Sequence, residues 1–390
     1  RIITANSDKI IDKKEQKLWT RYQWFYEQIS RMKSFPLLGE LIFNLYDRYF
    51  QKILPLHPYR DLSRATIATR LLDHTIVKGL GRSFVDYIQH QPEPLPLVTT
   101  FFTTAIAADK AGMDSIYCIV TDTDINRAWV SSNPKKTSII YCAPTDRVVR
   151  RLQSYGVPDK RIFLTGFPLP KENIGGISMK TLKQDLQSRL ANLDPKKQYR
   201  KKHNNSDLLK KSRKKKHPLT LTFVIGGAGA QQAIAIEIIN SMKGAIKKKQ
   251  IRIHIAAGTH AQIAAELKEF AKSQGLQKRL GSYLIIDVYL SKYDYFKAFS
   301  KTLRETDILW TKTSELSFYC GLGIPIICAP PIGYHELYNR RWLFQIGAGI
   351  MQDDPRACHE WIFEWLNRGI FARAAVAGFE MAQQTGTYKV

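Results

Sequence analysis

A chain of 390 residues can hold two domains, each with its own core, and its 44% hydrophobic and 24% charged residues exclude disorder over most of the length. The five cysteines (Cys118, Cys142, Cys320, Cys328 and Cys358) form no CxxC pair and have no ligand-like spacing; they fit a reducing compartment and argue against a zinc site or a disulfide framework. A formal net charge of +25 draws the chain to polyanions, whether nucleic acid, an anionic membrane or a phosphorylated substrate.

The chain starts at Arg1 rather than at a methionine, so a leading segment, targeting signals included, is expected to be missing. No run approaches the roughly 18 apolar residues that cross a bilayer. Residues 18–56 are dense in aromatic and basic side chains, from Trp19, Tyr22 and Trp24 to Tyr49, Phe50 and Lys52. They suit either core helices or an interfacial surface that dips into lipid headgroups. Strands are expected at 97–101, 115–120, 137–141 and 161–165, with helices at 103–111 and 145–155. Gly156-Val157-Pro158 then stops the second helix. A doubly wound domain ordinarily opens with a strand and a glycine-rich turn. None precedes these elements, so the N-terminal domain is expected to be truncated.

Between Pro195 and Pro218 eleven lysines and arginines face one acid, Asp207, a net charge of +10. The segment lacks apolar periodicity and reads as a solvated basic linker or insertion at 195–218. Contact with anionic lipid is the next reading and nucleic acid the third. The linker separates an N-terminal domain, 1–194, from a C-terminal one, 219–370, with a closing helix at 371–390. The second domain has the clearer grammar. Residues 219–225 (LTLTFVI) form a continuous β-branched run, suited to a strand buried on both faces. Further strands are expected at 251–256, 283–289, 307–310 and 324–328. Helices are expected at 231–247, 260–273, 293–303, from about 314, and at 335–345. Such alternation means right-handed βαβ units on a parallel sheet.

Gly226-Gly227-Ala228-Gly229-Ala230 closes the first of these strands and opens a helix. A turn of this kind exposes backbone N–H groups at a helix N-terminus, where the dipole favours phosphate. Its spacing is neither GxGxxG nor a P-loop, so dinucleotide and Walker-type chemistry are not supported. The plainer reading is a tight turn that needs small residues. Lys312, Ser314 and Glu315 follow the fourth strand, at the carboxyl edge where open α/β sheets bind ligands. Ser314 can cap a helix and Glu315 can sit in its first turn, which suits an acid with or without a ligand. As a ligand group, a carboxylate there can accept from both hydroxyls of a ribose. His335 and Asn339, at i and i+4, share a helix face after the fifth strand, with Glu336 beside them; capping and a solvated face explain them almost as well. Asp122-Thr123-Asp124 could bridge a metal to a diphosphate, but two Rossmann-like halves make a general-base role for Asp122 the better reading. Turn formation before Ile125 is the bland alternative.

These residues carry a resemblance. TDTDINRAWV and YCAPTDRVVRRLQSYGVPDKRIFLTGFPL, within Val120–Pro168, look like monogalactosyldiacylglycerol synthases and the related bacterial diacylglycerol glucosyltransferases. The GGAGAQ turn, ILWTK, GLGIPIICAPP and the HELYN helix are similar to the same group and to the peptidoglycan N-acetylglucosaminyltransferase. The resemblance spans roughly 95–350 and implies a GT-B fold: two Rossmann-like α/β domains facing across a cleft. It also implies an inverting transfer without a metal, from a UDP-sugar. Carried over by position, Gly226, Gly227, Gly229, Ala230 and Gln231 would hold the diphosphate and Glu315 the ribose. His335, Glu336 and Asn339 would touch the sugar, and Asp122 would lie near the acceptor. Gly258, Thr259, Lys312 and Ser314 complete the expected donor set. The chain departs from the family where TSELSF shortens the stretch after TK, and where the N-terminal glycine-rich loop is absent.

The expected function is therefore a metal-independent, inverting glycosyltransferase moving a hexose from a UDP-sugar to a lipid or other membrane-associated acceptor. No cofactor is expected. The expected partners are the donor, a lipid acceptor and an anionic membrane surface, with nucleic acid disfavoured; the expected location is cytoplasmic, peripheral on the inner face of the membrane. The competing readings are a non-catalytic nucleotide-sugar or lipid-binding protein, or a nucleotide-sugar epimerase on the same fold.

Overall fold

The apolar runs form two separate all-parallel sheets in the computed structural model, which describes residues 9–32, 52–203, 217–226, 231–331 and 334–390. Two compact units result. The first takes the described residues up to Phe167, with 334–338 and Lys389–Val390; the second takes those within Pro168–Pro331 and Asn339–Tyr388.

In the first unit, β1 (Leu97–Thr99), β2 (Ile116–Ile119), β3 (Ile139–Ala143) and β4 (Ile162–Leu164) lie side by side in chain order. Ile116, Cys118, Ile139 and Tyr141 fill the core beneath them, with Ile106 from the Phe102–Lys110 helix and Phe84 from Arg82–Gln89. Gly81, at φ +84°, lets that last helix approach closely, since a Cβ there would lie 2.6 Å from the Ala107 Cβ. The helix Lys13–Met32 supplies its cap from far away in sequence. The buried Glu15 carboxylate accepts from the N–H groups of Gly81 (2.8 Å) and Ser83 (2.7 Å) and from the Trp19 indole (2.9 Å). Of the aromatic-basic stretch expected at 18–56, Trp19 is thus core and Trp24 is 58% exposed, while 33–51 lies outside the described residues.

The second unit holds β5 (Thr220–Val224), β6 (Arg252–Ala256), β7 (Leu284–Asp287), β8 (Ile308–Thr311), β9 (Ile326–Cys328) and β10 (Gly349–Met351). Their order is β10-β9-β8-β5-β6-β7. Numbered within the unit this is 3-2-1-4-5-6, the doubly wound order, and the direction of winding reverses between β5 and β8. β5 is buried along its whole length, as its β-branched composition requires. Trp310 of β8 stands edge-on to Phe223 of β5, and its indole donates to Gln352 Oε1 at 2.9 Å.

Two expected boundaries move. The domain border expected at 194 falls after Phe167, because the Lys180–Leu193 helix buries Leu186, Leu190 and Leu193 in the core of the second sheet. Its fully buried Arg189 donates to the carbonyls of Thr306 (2.7 Å), Leu322 (2.8 Å) and Leu303 (3.2 Å), stapling three segments together. The closing helix expected at 371–390 is two pieces, Ile370–Met381 and Gly386–Lys389. The first is pressed against the Glu315–Leu322 turn so closely that a Cβ on Gly378 would stand 2.5 Å from the Cys320 carbonyl oxygen. The chain then leaves through an extended Ala382. Of the basic stretch 195–218, residues 204–216 lie outside the described residues.

Candidate functional site

The carboxyl ends of β5 and β8 lie side by side at the point where the winding reverses, and in open α/β sheets this is where ligands bind. β5 runs out through Ile225 into Gly226, and β8 through Thr311 into Lys312. The two come together: a Cβ built on Gly226 would meet Lys312 Cε at 2.8 Å and Nζ at 3.7 Å. The lysine therefore lies across the bare Cα of the glycine, with its ammonium beside Gly226. Only a residue without a side chain leaves it that room.

Gln231 begins the Gln232–Lys247 helix on the far side of the turn. It is 6% exposed, and its side-chain Oε1 finds no hydrogen-bond partner among the described residues. The Gly227, Gly229 and Ala230 expectations lie outside the described residues. Along the same edge, after β6, Gly258 adopts φ +62° with open space where a Cβ would be, and Thr259 is exposed. The Gly258 carbonyl accepts from the Tyr289 N–H at 2.8 Å, which ties this loop to the end of β7.

After β8, Ser314 is the N-cap of the 3₁₀ turn Glu315–Leu322, its hydroxyl accepting from the Leu316 N–H at 3.5 Å; Glu315 stands exposed in the first turn. Thr313 is fully buried and its carbonyl accepts from the Asn339 side-chain amide at 3.3 Å, so Asn339 is held at this edge. His335 and Glu336 group instead with the first unit, where His335 Nε2 lies 3.9 Å from the buried Glu336 carboxylate. All three expected residues lie on the one Tyr334–Gln345 helix, with His335 and Asn339 one turn apart.

In the first unit, Asp122 is half-buried in the bend after β2. Asp124, two residues on, is buried and committed. Its Oδ1 accepts from Arg151 Nε at 2.8 Å, and its Oδ2 from Arg147 Nε at 2.5 Å and a second Arg151 nitrogen at 2.9 Å. Both arginines sit on the Asp146–Ser154 helix, four residues apart, which Thr145 caps by accepting from Val148 N–H at 3.2 Å. A carboxylate with both oxygens taken by guanidinium groups has no lone pair directed at a metal, so Asp124 serves the fold. The Asp122–Asp124 spacing separates one half-buried acid from one structural acid.

A further polar group at the carboxyl edge escaped the sequence reading. His254 of β6 lies 2.8 Å from Asp287 Oδ2 at the end of β7, and Tyr289 donates to the same oxygen at 3.1 Å. The hydrogen bond with His254 holds the Asp287 carboxyl below its ordinary range, and the same half-buried setting pushes the Tyr289 hydroxyl up to about 12. The available signal was an aspartate inside an otherwise apolar run, YLIIDVY.

A family model described as a domain of unknown function (DUF6938) matches residues 202–283. No curated protein matches. Among solved structures, a putative UDP-N-acetylglucosamine 2-epimerase from Listeria monocytogenes is similar at 12% identity and a TM-score of 0.50, covering 82% of this chain and 76% of that one. A UDP-GlcNAc 2-epimerase from Neisseria meningitidis, bound to UDP-GlcNAc, matches at 11% identity, TM-score 0.45 and 82% and 81% coverage. WaaG, a glycosyltransferase involved in lipopolysaccharide biosynthesis, matches at 10% identity, TM-score 0.41 and 79% of each chain. The Listeria likeness is one of fold. It agrees with the two parallel-sheet α/β units described above, which are the GT-B class expected from the sequence.

Proposed function

We propose that the chain is a glycosyltransferase that takes a UDP-sugar at the β5/β8 edge of its second unit. The observation that carries this reading is Lys312 lying over Gly226 at the reversal of strand order, five residues before Gln231, the N-cap of the Gln232–Lys247 helix. Charge grows on a departing diphosphate, and a cation with backbone N–H groups offsets that charge most where water is excluded. Gly226 through Gln231 hold the diphosphate in this reading, with Gly258 and Thr259 beside them on the neighbouring loop. Glu315, exposed and next to the Ser314 cap, accepts from the ribose hydroxyls. Asn339, fixed by the Thr313 carbonyl, contacts the sugar, and so do His335 and Glu336 in the first turn of the same helix.

Asp122 takes the proton of the acceptor hydroxyl, so that oxygen attacks the anomeric carbon from the face opposite UDP and the sugar inverts. The commitment of Asp124 to two arginines supports a transfer that does not route the diphosphate through a metal held by this pair. The acceptor is a lipid or other membrane-associated hydroxyl, as the resemblance to diacylglycerol glycosyltransferases implies, and the protein works at the inner face of a membrane.

A thermal-shift panel of UDP, GDP and their sugars tests the donor class, since binding protects the folded state by mass action. UDP compounds are expected to raise the melting temperature selectively. Glu315→Ala should weaken UDP binding with little loss of turnover at saturation, and Asp122→Asn should lower turnover while leaving UDP binding intact. Unchanged UDP affinity in the Glu315 variant removes its assignment.

The likeness of fold to the Listeria structure supports a second reading, a nucleotide-sugar epimerase. Conversion of a UDP-sugar to its epimer with no acceptor present distinguishes the two, because a transferase releases UDP and needs a hydroxyl to glycosylate.

A further inference from the structure

The Ile67–Val77 helix of the first unit presents an outward face that the folding of the unit does not use. Its exposed positions are Ile67, Arg70, Leu71, His74 and Val77, and Lys78 continues them at the C-cap. At about 100° per residue these six fall within an arc of roughly 120°. Apolar and basic residues alternate along it. Ile67 is 66%, Leu71 46% and Val77 78% exposed. The helix has one acid, Asp73, which lies outside the arc and pairs with Lys110 at 3.2 Å. The opposite side of the helix is buried through Thr69 and Ile76.

Neighbouring surface has the same character. Tyr22 of the Lys13–Met32 helix shares a hydrogen bond of 2.6 Å with Thr75, which sets that helix alongside. Lys13, Lys17, Arg21 and Trp24 are exposed on it at helical spacing. Val77 also walls a hollow of about 270 Å³ floored by Ile76, Leu80, Val85 and Ala107 and edged by the exposed Arg82–Asp86 ion pair, so apolar surface continues inward from the helix under a charged rim.

We propose that this face of the Ile67–Val77 helix is a docking surface for an anionic lipid bilayer. The helix lies in the interface plane. Ile67, Leu71 and Val77 enter the boundary between headgroups and acyl chains, while Arg70 and Lys78, on long stems, reach the phosphates. Charge complementarity selects the occupant: the exposed arc carries cations and no acid, and aliphatic side chains set between cations match a surface whose phosphates overlie hydrocarbon. A folded acidic partner would offer carboxylates but no hydrocarbon layer for three aliphatics spread along the helix. The inference gives the membrane part of the proposed function a surface, and it draws nothing from the donor site.

The test uses the full chain. All five native cysteines are buried, so a Leu71→Cys variant accepts an environment-sensitive fluorophore selectively. On mixing with vesicles of phosphatidylglycerol and phosphatidylcholine, emission at position 71 should shift to the blue and gain severalfold. The same label on Lys160→Cys, an exposed position of the same unit, should not respond, and phosphatidylcholine vesicles alone should leave both unchanged. In co-sedimentation, Ile67→Asp/Leu71→Asp should lower vesicle binding about tenfold, since two apolar insertions are lost, without lowering the melting temperature. Capture that leaves the label at 71 silent, equal capture by neutral vesicles, or no capture overturns the proposal. UDP-induced thermal shifts read on the same samples separate the two ideas. Vesicle binding without a shift removes the donor reading alone, and a shift without vesicle binding removes the docking surface alone.

Discussion

Single residues at the β5/β8 edge divide into those that shape it and those that act through it. Gly226 shapes it by leaving space for Lys312, whose side chain is flexible and can retreat from an added methyl group. Gly226→Ala and Lys312→Gln are therefore expected to keep the melting temperature within a degree or two, yet to reduce the UDP-induced shift by at least half. A full shift in Lys312→Gln removes that residue from the donor site. Asp307, at the opposite, amino end of β8, acts on stability alone. Burial raises its carboxyl to about 8, against the pull of Arg189 and of the Thr220 N–H, which donates to it at 2.8 Å. Its folded value lies above its unfolded value near 3.8, so its contribution to stability is complete below pH 4 and is lost as pH rises through 8. Within that window the loss amounts to about 1.4 kcal/mol per pH unit. Urea midpoints at pH 5.5 and 7.5 should thus fall in the parent chain and fall less in Asp307→Asn, whose amide oxygen can still accept from Thr220 and Asn192. Parallel slopes in the two proteins mean that Asp307 does not titrate in this range.

At the scale of elements, the strands were read well because burial on two faces writes itself as a continuous β-branched run. β5, β6 and β8 sit within a residue or two of expectation. β10 was missed because it opens on Gly349 and carries no continuous β-branched run. The Lys180–Leu193 helix was not among the expected elements, although its leucines at 182, 186, 190 and 193 recur at helical spacing, and an apolar stripe in any case names no partner. Only packing assigned it to the second sheet, and Arg189 makes that assignment strict. Methionine at this position leaves several buried carbonyls without donors, at a cost expected to exceed about 3 kcal/mol. Chemical denaturation checks this; a loss under 1 kcal/mol means that water replaces the guanidinium. The paired aspartates teach the same lesson. Asp122 and Asp124 look alike in sequence, and the Asp146–Ser154 helix separates them by delivering two arginines to one and not the other.

For the whole molecule, charge is a property of the sequence, and its consequences follow without a fold. Replacing Lys210, Lys211, Lys214, Lys215 and Lys216 by serine removes five charges from the basic run and should lower retention on heparin, while the UDP-induced shift stays the same. A lost shift in that variant means the run belongs to the donor site rather than to a solvated insertion. The sequence by itself determined the two parallel α/β sheets and the glycine-rich composition of the turn after β5. Strand burial, glycine and helix periodicity are local signals, and each is complete within some ten residues. The tertiary structure decided the β5/β8 adjacency, the reach of Lys312 over Gly226, the loss of Asp124 to the fold and the border after Phe167. Each of those depends on which side chains meet across long stretches of chain, and such meetings are fixed by strand order and packing, which no local pattern encodes.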